Sequence, residues 1–280
     1  MSLARLRAGP APQHNGFMDG SELNRSSIAP SGPTASAVAA FFVDEFDGDR
    51  HRLALPRPEI QIVVRFGPSA RNGLDVHALG MQQTVRRKLI RRGQRAVTAR
   101  LHLGASRAVL GVPASAVAGC VLELDELWGG AAVRRLLDRL AGVSDTIEAV
   151  AILERAIAER LAAAERLTLV GSRDTQAPLA RRAAERLMSS NVGSVAVDLG
   201  VSERHLRRVF REAVGMSPKE FARLARFRRA LRAAREAGRQ NWASIAAETG
   251  YYDQAHLIEE FRSIAGVTPR ALLTELGAAS

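Results

Sequence analysis

The C-terminal third of this 280-residue chain contains an internal repeat, in which the second copy follows the first by 50 to 51 residues. A period of this length indicates two similar supersecondary units. The repeat therefore predicts an all-α domain of paired helices over residues 179–280. The second copy has one extra residue in its turn, and the matched pairs are Ala196 and Ala246, Gly200 and Gly250, Leu206 and Leu257, Phe210 and Phe261, Gly215 and Gly266, and Pro218 and Pro269.

Each copy predicts a helix-turn-helix, in which a first helix holds a second one against DNA through a tight turn. In the first copy Gly200 ends the first helix, and Ser202 is a good N-cap for the second. Gly250 and Asp253 take these roles in the second copy. The inward-facing residues, spaced by three and four, are Val192, Val195, Ala196, Leu199, Leu206, Val209, Phe210, Ile245, Ala246, Leu257 and Phe261.

The outward faces of the two second helices form the predicted DNA-binding surface. A helical bundle with a solvated, arginine-rich face is the alternative for a single copy, but two matched copies argue against it. The predicted DNA-binding residues are Ser202, Arg204, Arg207, Arg208 and Arg211 in the first copy, and Gln254, Ala255, His256, Ile258, Glu259 and Arg262 in the second.

Positive charge is concentrated around the segment that connects the two motifs. The net charge of the chain is +11, and residues 203–239 hold 12 Lys and Arg against 4 Asp and Glu. Pro218 suits the start of a helix that runs to Ala237, before Gly238. Such a helix spans about 30 Å, close to the roughly 34 Å of one DNA turn. Its arginines serve either phosphate contact or solubility: Arg223, Arg226, Arg228, Arg229, Arg232 and Arg235.

The motifs Gly200-Val-Ser-Glu-Arg-His-Leu-Arg-Arg-Val-Phe210 and Gly250-Tyr-Tyr-Asp-Gln-Ala-His-Leu-Ile-Glu-Glu-Phe-Arg262 closely resemble the AraC/XylS family of bacterial transcription regulators. The resemblance covers about 100 residues. It implies a seven-helix module whose recognition helices enter adjacent major grooves of promoter DNA, and recruitment of RNA polymerase. It places base reading on Arg204, Arg207 and Arg208, and on Gln254, Ala255, His256, Ile258 and Glu259.

The side chains at these positions have a chemical reason to read bases. Arginine suits bidentate contact with guanine, and glutamine suits adenine. Glu259 departs from the family pattern, because many members carry a basic residue there. Its carboxylate could accept a hydrogen bond from cytosine N4 but would repel phosphate. The first recognition helix is therefore expected to supply most of the affinity.

The preceding residues predict an α+β domain over 36–165. Short β-branched runs predict strands at 59–66, 74–79 and 96–103, and periodic apolar residues predict helices at 131–140 and 145–161. Residues 1–35 are predicted to be a disordered tail and residues 166–178 a linker. The predicted fold class is thus α+β, with a β-rich N-terminal domain followed by an all-α domain that has two helix-turn-helix motifs.

Residues 36–165 resemble, more loosely, the sensor-like domain found in one branch of the family. The relevant stretches are 55–60, 110–113 and 122–128. This resemblance implies a regulatory domain but names no ligand. We expect the domain to bind an unidentified small-molecule effector or another subunit. His77 and His102 are either pocket residues or, as we favour, ordinary core or surface histidines.

Several other classes find little support in the sequence. There is no catalytic motif or metal-ligand spacing, so no enzyme activity, cofactor or metal is expected. No apolar run could cross a bilayer, and Cys120 has no disulfide partner, so a cytoplasmic protein is expected. Cys120 itself is predicted to be buried. An enzyme tethered to DNA and a non-specific architectural protein are the alternatives to a regulator, and a homodimer remains open.

Overall fold

The computed structural model describes residues 27–168, 176–236 and 241–278, with residues 167 and 168 described by their backbone alone. Residues 1–26 of the predicted tail and residues 169–175 of the predicted linker lie outside these ranges. The N-terminal region is rich in strands and the C-terminal region is helical, so the predicted fold class is confirmed. In the described ranges no helix is both long enough and apolar enough to cross a membrane.

The N-terminal domain is built on a six-stranded antiparallel sheet of order β1-β2-β7-β4-β5-β8. Two further strands, β3 and β6, form a separate antiparallel pair, which we call the ribbon. The strands are β1 (Ser27–Ile28), β2 (Val38–Glu45), β3 (Arg50–Ala54), β4 (Gln61–Phe66), β5 (Leu74–Leu79), β6 (Arg86–Ile90), β7 (Arg95–Leu101) and β8 (Val121–Glu123).

Alternation along these strands separates an apolar face from a polar one. Phe41, Ile62 and Val97 on the apolar face are completely buried in a core that includes residues of four helices. The ribbon lies at the polar face, where Arg52 pairs with Asp44 at 3.1 Å. The four helices are α1 (Ser106–Leu110), α2 (Asp125–Trp128), α3 (Gly130–Leu140) and α4 (Thr146–Thr168).

Three sequence predictions for this half need correction. Residues 27–35 are not part of a disordered tail, because β1 pairs with β2 and Thr34 is buried, with its hydroxyl bonded to Glu154. Helices enter both ends of the predicted linker, since α4 ends at Thr168 and the next helix begins at Gln176. Cys120 is exposed rather than buried, because the chain turns there to enter β8.

The C-terminal region contains seven helices within its described residues. All four large apolar anchors predicted from the repeat, Leu206, Phe210, Leu257 and Phe261, are completely buried. The helices are α5 (Gln176–Leu187), α6 (Val192–Asp198), α7 (Glu203–Val214), α8 (Pro218–Glu236), α9 (Trp242–Thr249), α10 (Gln254–Ala265) and α11 (Pro269–Ala278). The first helix-turn-helix is α6–α7 and the second is α9–α10.

The two halves of the chain share one apolar cluster. Leu53 and Leu55, in and just after the ribbon strand β3, are buried with the core residues of the C-terminal helices, as are Met81 and Val85. Arg228 of α8 is also buried, and its Nη1 donates to the carbonyl of Pro56 at 3.2 Å. The ribbon therefore lies between the six-stranded sheet and the helix-turn-helix region.

Candidate nucleic-acid interface

The first helix-turn-helix is fixed by a left-handed glycine and a serine cap. Gly200 has φ +67°, and the N–H of Val201 donates to the carbonyl of Ala196 at 3.0 Å, which closes the turn. Ser202 then accepts a hydrogen bond from the N–H of His205 at 3.2 Å. An N-cap of this kind satisfies one of the free amides at the start of a helix. These contacts set the angle at which α7 leaves the turn.

The second helix-turn-helix repeats the hydrogen bond that closes the turn and the N-cap bond of the recognition helix. The N–H of Tyr251 donates to the carbonyl of Ala246 at 2.9 Å, and Gly250 has φ +83°. Asp253 is the N-cap of α10 and accepts from the N–H of His256 at 2.7 Å. Since Tyr251 takes the place of Val201, the extra residue of the second copy is Tyr252. Its surface is 93% exposed.

Nearly all the predicted DNA-binding residues lie on exposed parts of the two recognition helices. The exposed ones are Ser202, Arg204, Arg207, Arg208 and Arg211 around α7, and Gln254, Ala255, His256, Glu259 and Arg262 on α10. Ile258 differs, because its side chain is half-buried against the apolar core. The outward assignment of Ile258 is therefore wrong in part.

The arginines of α7 are partly neutralised by glutamates on the same helix. Arg207 pairs with Glu203, and Arg208 Nη1 lies 3.3 Å from Glu212 Oε1. Both are exposed pairs at four-residue spacing, which contribute only a few tenths of a kcal/mol. No such pair holds Arg204 or Arg211 among the described residues. The pairs position the guanidinium groups without preventing contact with an anion.

A buried carboxylate connects the second helix-turn-helix to α8. Glu260 of α10 is only 6% exposed. It accepts hydrogen bonds from Arg226 Nη2 at 2.9 Å and from Arg223 Nε at 3.2 Å. Tyr251 Oη also donates to it, at 2.7 Å. Sequence reasoning missed Glu260, although it is three residues after Leu257 and four before Ile264 and so falls on the buried face.

Several of the α8 arginines named in the sequence analysis thus have partners inside the protein. Besides Arg223, Arg226 and Arg228, Arg229 donates to the carbonyls of Met188, after α5, and of Thr249, at the end of α9. Arg229 therefore joins the end of α5 to the end of α9. Internal partners of this kind were included in neither of the two interpretations left open for these side chains, phosphate contact and solubility.

Residues 195–275 match the family model described as a helix-turn-helix domain. The match assigns to these residues a helix-turn-helix domain, a kind of module that binds DNA. The C-terminal domain is of the AraC type, as its motifs predict. No curated protein matches the sequence.

Solved structures to which this chain is similar include a protein with an AraC-type DNA-binding domain and the protein ToxT. One is a transcriptional regulator with an AraC-type DNA-binding domain from Chromobacterium violaceum, at 22% identity over 34% of this chain and 88% of that one, with a TM-score of 0.32. Another is ToxT from Vibrio cholerae with a bound unsaturated fatty acid, at 14% identity over 86% of this chain and 97% of that one, with a TM-score of 0.42. A further ToxT crystal form has 10% identity over 84% and 97% of the chains, with a TM-score of 0.39.

Proposed function

We propose that this chain is a sequence-specific regulator that places α7 and α10 in successive major grooves of promoter DNA. The observation that carries the proposal is the repetition of the turn-closing hydrogen bond and of the N-cap bond, with both recognition helices exposed at their N-terminal ends. In helix-turn-helix proteins this is the end that contacts base edges. One chain thus holds two reading helices, and a two-part site needs no second copy.

The side chains at these ends differ in the contacts they can make. Arg204, Arg207 and Arg208 present guanidinium groups suited to guanine O6 and N7, whereas Gln254 suits adenine. Glu259 is exposed and carries the wrong charge for phosphate. We therefore propose that α7 supplies most of the affinity, and that α10 adds discrimination between bases.

Tyr252 extends the proposed interface beyond the residues named from the sequence. It is the extra residue in the turn of the second helix-turn-helix and directly precedes the N-cap Asp253. Its exposed hydroxyl can donate a hydrogen bond to a phosphate, a type of contact that fixes register on the duplex. It would partly replace the basic residue missing at position 259.

The N-terminal domain is proposed to be the regulatory part, controlled by a small effector. An open groove of about 530 Å³ lies between the two halves of the chain, and its lining is more polar than apolar. It is lined by Met81, Gln83 and Arg86 on one side and by Arg211 and Met216 on the other. A ligand there would bias DNA binding only if it distinguished between two arrangements of the domains. The family resemblance adds RNA polymerase as a proposed partner, in the bacterial cytoplasm.

The proposal is tested by selecting bound duplexes from a random library with the purified full-length protein at about 150 mM salt. A two-part motif with centres about 10 base pairs apart is expected. Enrichment of no motif, together with binding that falls steeply with salt, would instead identify an architectural protein.

A further inference from the structure

The N-terminal domain contacts the C-terminal ends of both recognition helices at equivalent positions of the repeat. The N–H of Gly104 donates to the carbonyl of Ala213 at 3.2 Å, and the N–H of Val85 donates to the carbonyl of Ile264 at 2.9 Å. Each acceptor precedes by two residues the glycine that ends its helix. Carbonyls in the last turn have no partner within the helix, so both bonds satisfy groups that need a donor.

A charged contact strengthens the attachment to α10. Arg87, in the ribbon strand β6, donates from Nη1 and Nη2 to the carbonyl of Ala265, both at 3.1 Å. The same guanidinium pairs with Glu275 of α11, with Nε 2.8 Å from Oε2 and Nη2 3.1 Å from Oε1. Cations are favourable at the C-terminal end of a helix. Arg87 therefore fixes the ribbon to α10 and α11 together.

Close backbone packing forms the attachment to the first helix-turn-helix unit. A Cβ added to Gly215, at the end of α7, would lie 3.0 Å from the carbonyl oxygen of Ala114. A Cβ on Gly104 would lie 2.7 Å from the Cβ of Ala177 in α5. Arg181 of α5 also donates to the carbonyl of Leu103 at 3.0 Å. This side is held by shape and hydrogen bonds, with no room for larger side chains.

The two attachment segments are themselves joined. The N–H of Gly80 donates to the carbonyl of Cys120, and the N–H of Gly119 donates to that of Met81, both at 3.0 Å. A Cβ on Gly80 would lie only 1.6 Å from the carbonyl oxygen of Val117. The loop that leads to Val85 and the segment that follows Ala114 thus form one unit. That unit spans from the end of α7 to the end of α10.

From these contacts we infer that the N-terminal domain sets the separation and orientation of α7 and α10, so that Arg87 is a specificity-determining residue for the spacing between half-sites. The inference rests on the proposed function. One added base pair moves the second half-site by about 3.4 Å and turns it by about 35° around the duplex. Recognition helices held by α8 alone could follow such a change more easily than helices that are also held at their C-terminal ends.

The test measures binding of the full-length protein to duplexes in which the selected half-sites are separated by the preferred spacer or by one or two base pairs more or fewer. We expect the wild-type protein to prefer its best spacer by about tenfold over its neighbours. Arg87→Lys keeps the charge but loses the planar, bidentate geometry, and it should reduce this preference to about threefold or less. Glu275→Gln changes the carboxylate that pairs with Arg87 and should also reduce the preference for the best spacer.

Arg91→Ala is the matched control, because Arg91 follows the same ribbon strand but pairs with Asp49 of its own domain at 2.9 Å. It should leave the spacer preference unchanged. If wild type and Arg87→Lys have the same spacer profile, the inference is wrong but the proposed function stands. The same holds if Arg87→Lys binds more weakly by an equal factor at every spacer. A wild-type protein that selects no two-part motif would overturn the proposed function and the inference together.

Discussion

The hydroxyl of Tyr251 donates a hydrogen bond to Oε1 of Glu260, with 2.7 Å between the two oxygen atoms. The guanidinium of Arg226 lies 4.8 Å from the centre of the tyrosine ring and donates to the same carboxylate. The turn of the second helix-turn-helix, its recognition helix and the connecting helix therefore meet at one buried acid. An apolar residue at position 260 would pack there but would leave the arginines without their acceptor.

Replacing this acid should destabilise the protein much more than replacing its neighbour. Glu260→Gln keeps the shape but removes the charge that three donors share, so the free energy of unfolding should fall by about 1.5–3 kcal/mol. Glu259→Gln changes an exposed side chain next to it and should stay within about 0.5 kcal/mol of wild type. Urea denaturation of the two variants makes the comparison, and equal stabilities would contradict the role given to Glu260.

The same contact predicts a loss of stability at alkaline pH. Burial, reinforced by the charge of Glu260 and the hydrogen bond to it, raises the pKa of Tyr251 above its usual value, against the opposing effect of Arg226. An unfolded chain then releases this proton first. The contribution of Tyr251 to the free energy of unfolding is therefore complete below about pH 10. Above that pH it falls by up to about 1.4 kcal/mol per pH unit.

Tyr251→Phe should remove this contribution, so that the free energy of unfolding falls less steeply between pH 9 and pH 11 than in the wild-type protein. Tyr252→Phe, which removes a tyrosine hydroxyl from an exposed ring, is the control. An unchanged slope in Tyr251→Phe would show that the buried hydroxyl does not contribute to the alkaline loss.

Adding one methyl group at Gly80 should disrupt the joint between the two attachment segments. The new Cβ would lie 1.6 Å from the carbonyl oxygen of Val117, so the backbone must move. We expect Gly80→Ala to cost about 3 kcal/mol or more. Gly48→Ala meets nothing within 4 Å and should be nearly neutral. Thermal unfolding of both variants tests this, and a stable Gly80→Ala protein would mean that the joint is not tightly packed.

Removing Arg208 should weaken recognition of one base position. If its guanidinium reads a guanine, Arg208→Ala costs about 1–3 kcal/mol on the preferred duplex and little on duplexes changed at that base. Arg139→Ala, which breaks an ion pair with Glu159 in the N-terminal domain, is the charge-matched control. Affinity titrations against single-base variants decide the outcome. A uniform loss over all sequences would assign Arg208 to phosphate contact.

Tyr252 should matter for DNA binding but not for folding. With 93% of its surface exposed, Tyr252→Ala should change the free energy of unfolding by less than about 0.5 kcal/mol. Loss of a hydrogen bond to phosphate should weaken DNA binding by about 0.5–1.5 kcal/mol. Tyr252→Phe separates the hydroxyl from the ring. Unchanged DNA affinity in both variants would remove Tyr252 from the interface.

The helix-turn-helix units could be predicted closely because their signals are local. Leu206 and Phe210 repeat at helical spacing in Leu257 and Phe261, and the caps stand immediately before the helices they begin. Outside the repeat the local signals were weaker. The strand pattern found β4, β5 and β7 but missed β2, whose mixed sequence Val38–Glu45 alternates poorly.

The contacts between the halves could not be predicted, because they join residues far apart in the chain. Arg228 and Pro56 are 172 residues apart, and nothing in either segment identifies the other. The α8 arginines illustrate the same limit. From the sequence they form one basic series, but folding directs several of them to carboxylates and carbonyl groups inside the protein.

Leu53 of the ribbon and Val85, which directly precedes the ribbon strand β6, belong to the apolar cluster of the helix-turn-helix region, although they lie more than 90 residues before its first helix in the sequence. A fragment cut at the domain boundary would leave this part of its core open to water, and a chimera joined there would pair the helices with a surface that does not fit them. For protein engineering, the unit to transplant is therefore discontinuous: the seven helices together with the ribbon that covers them.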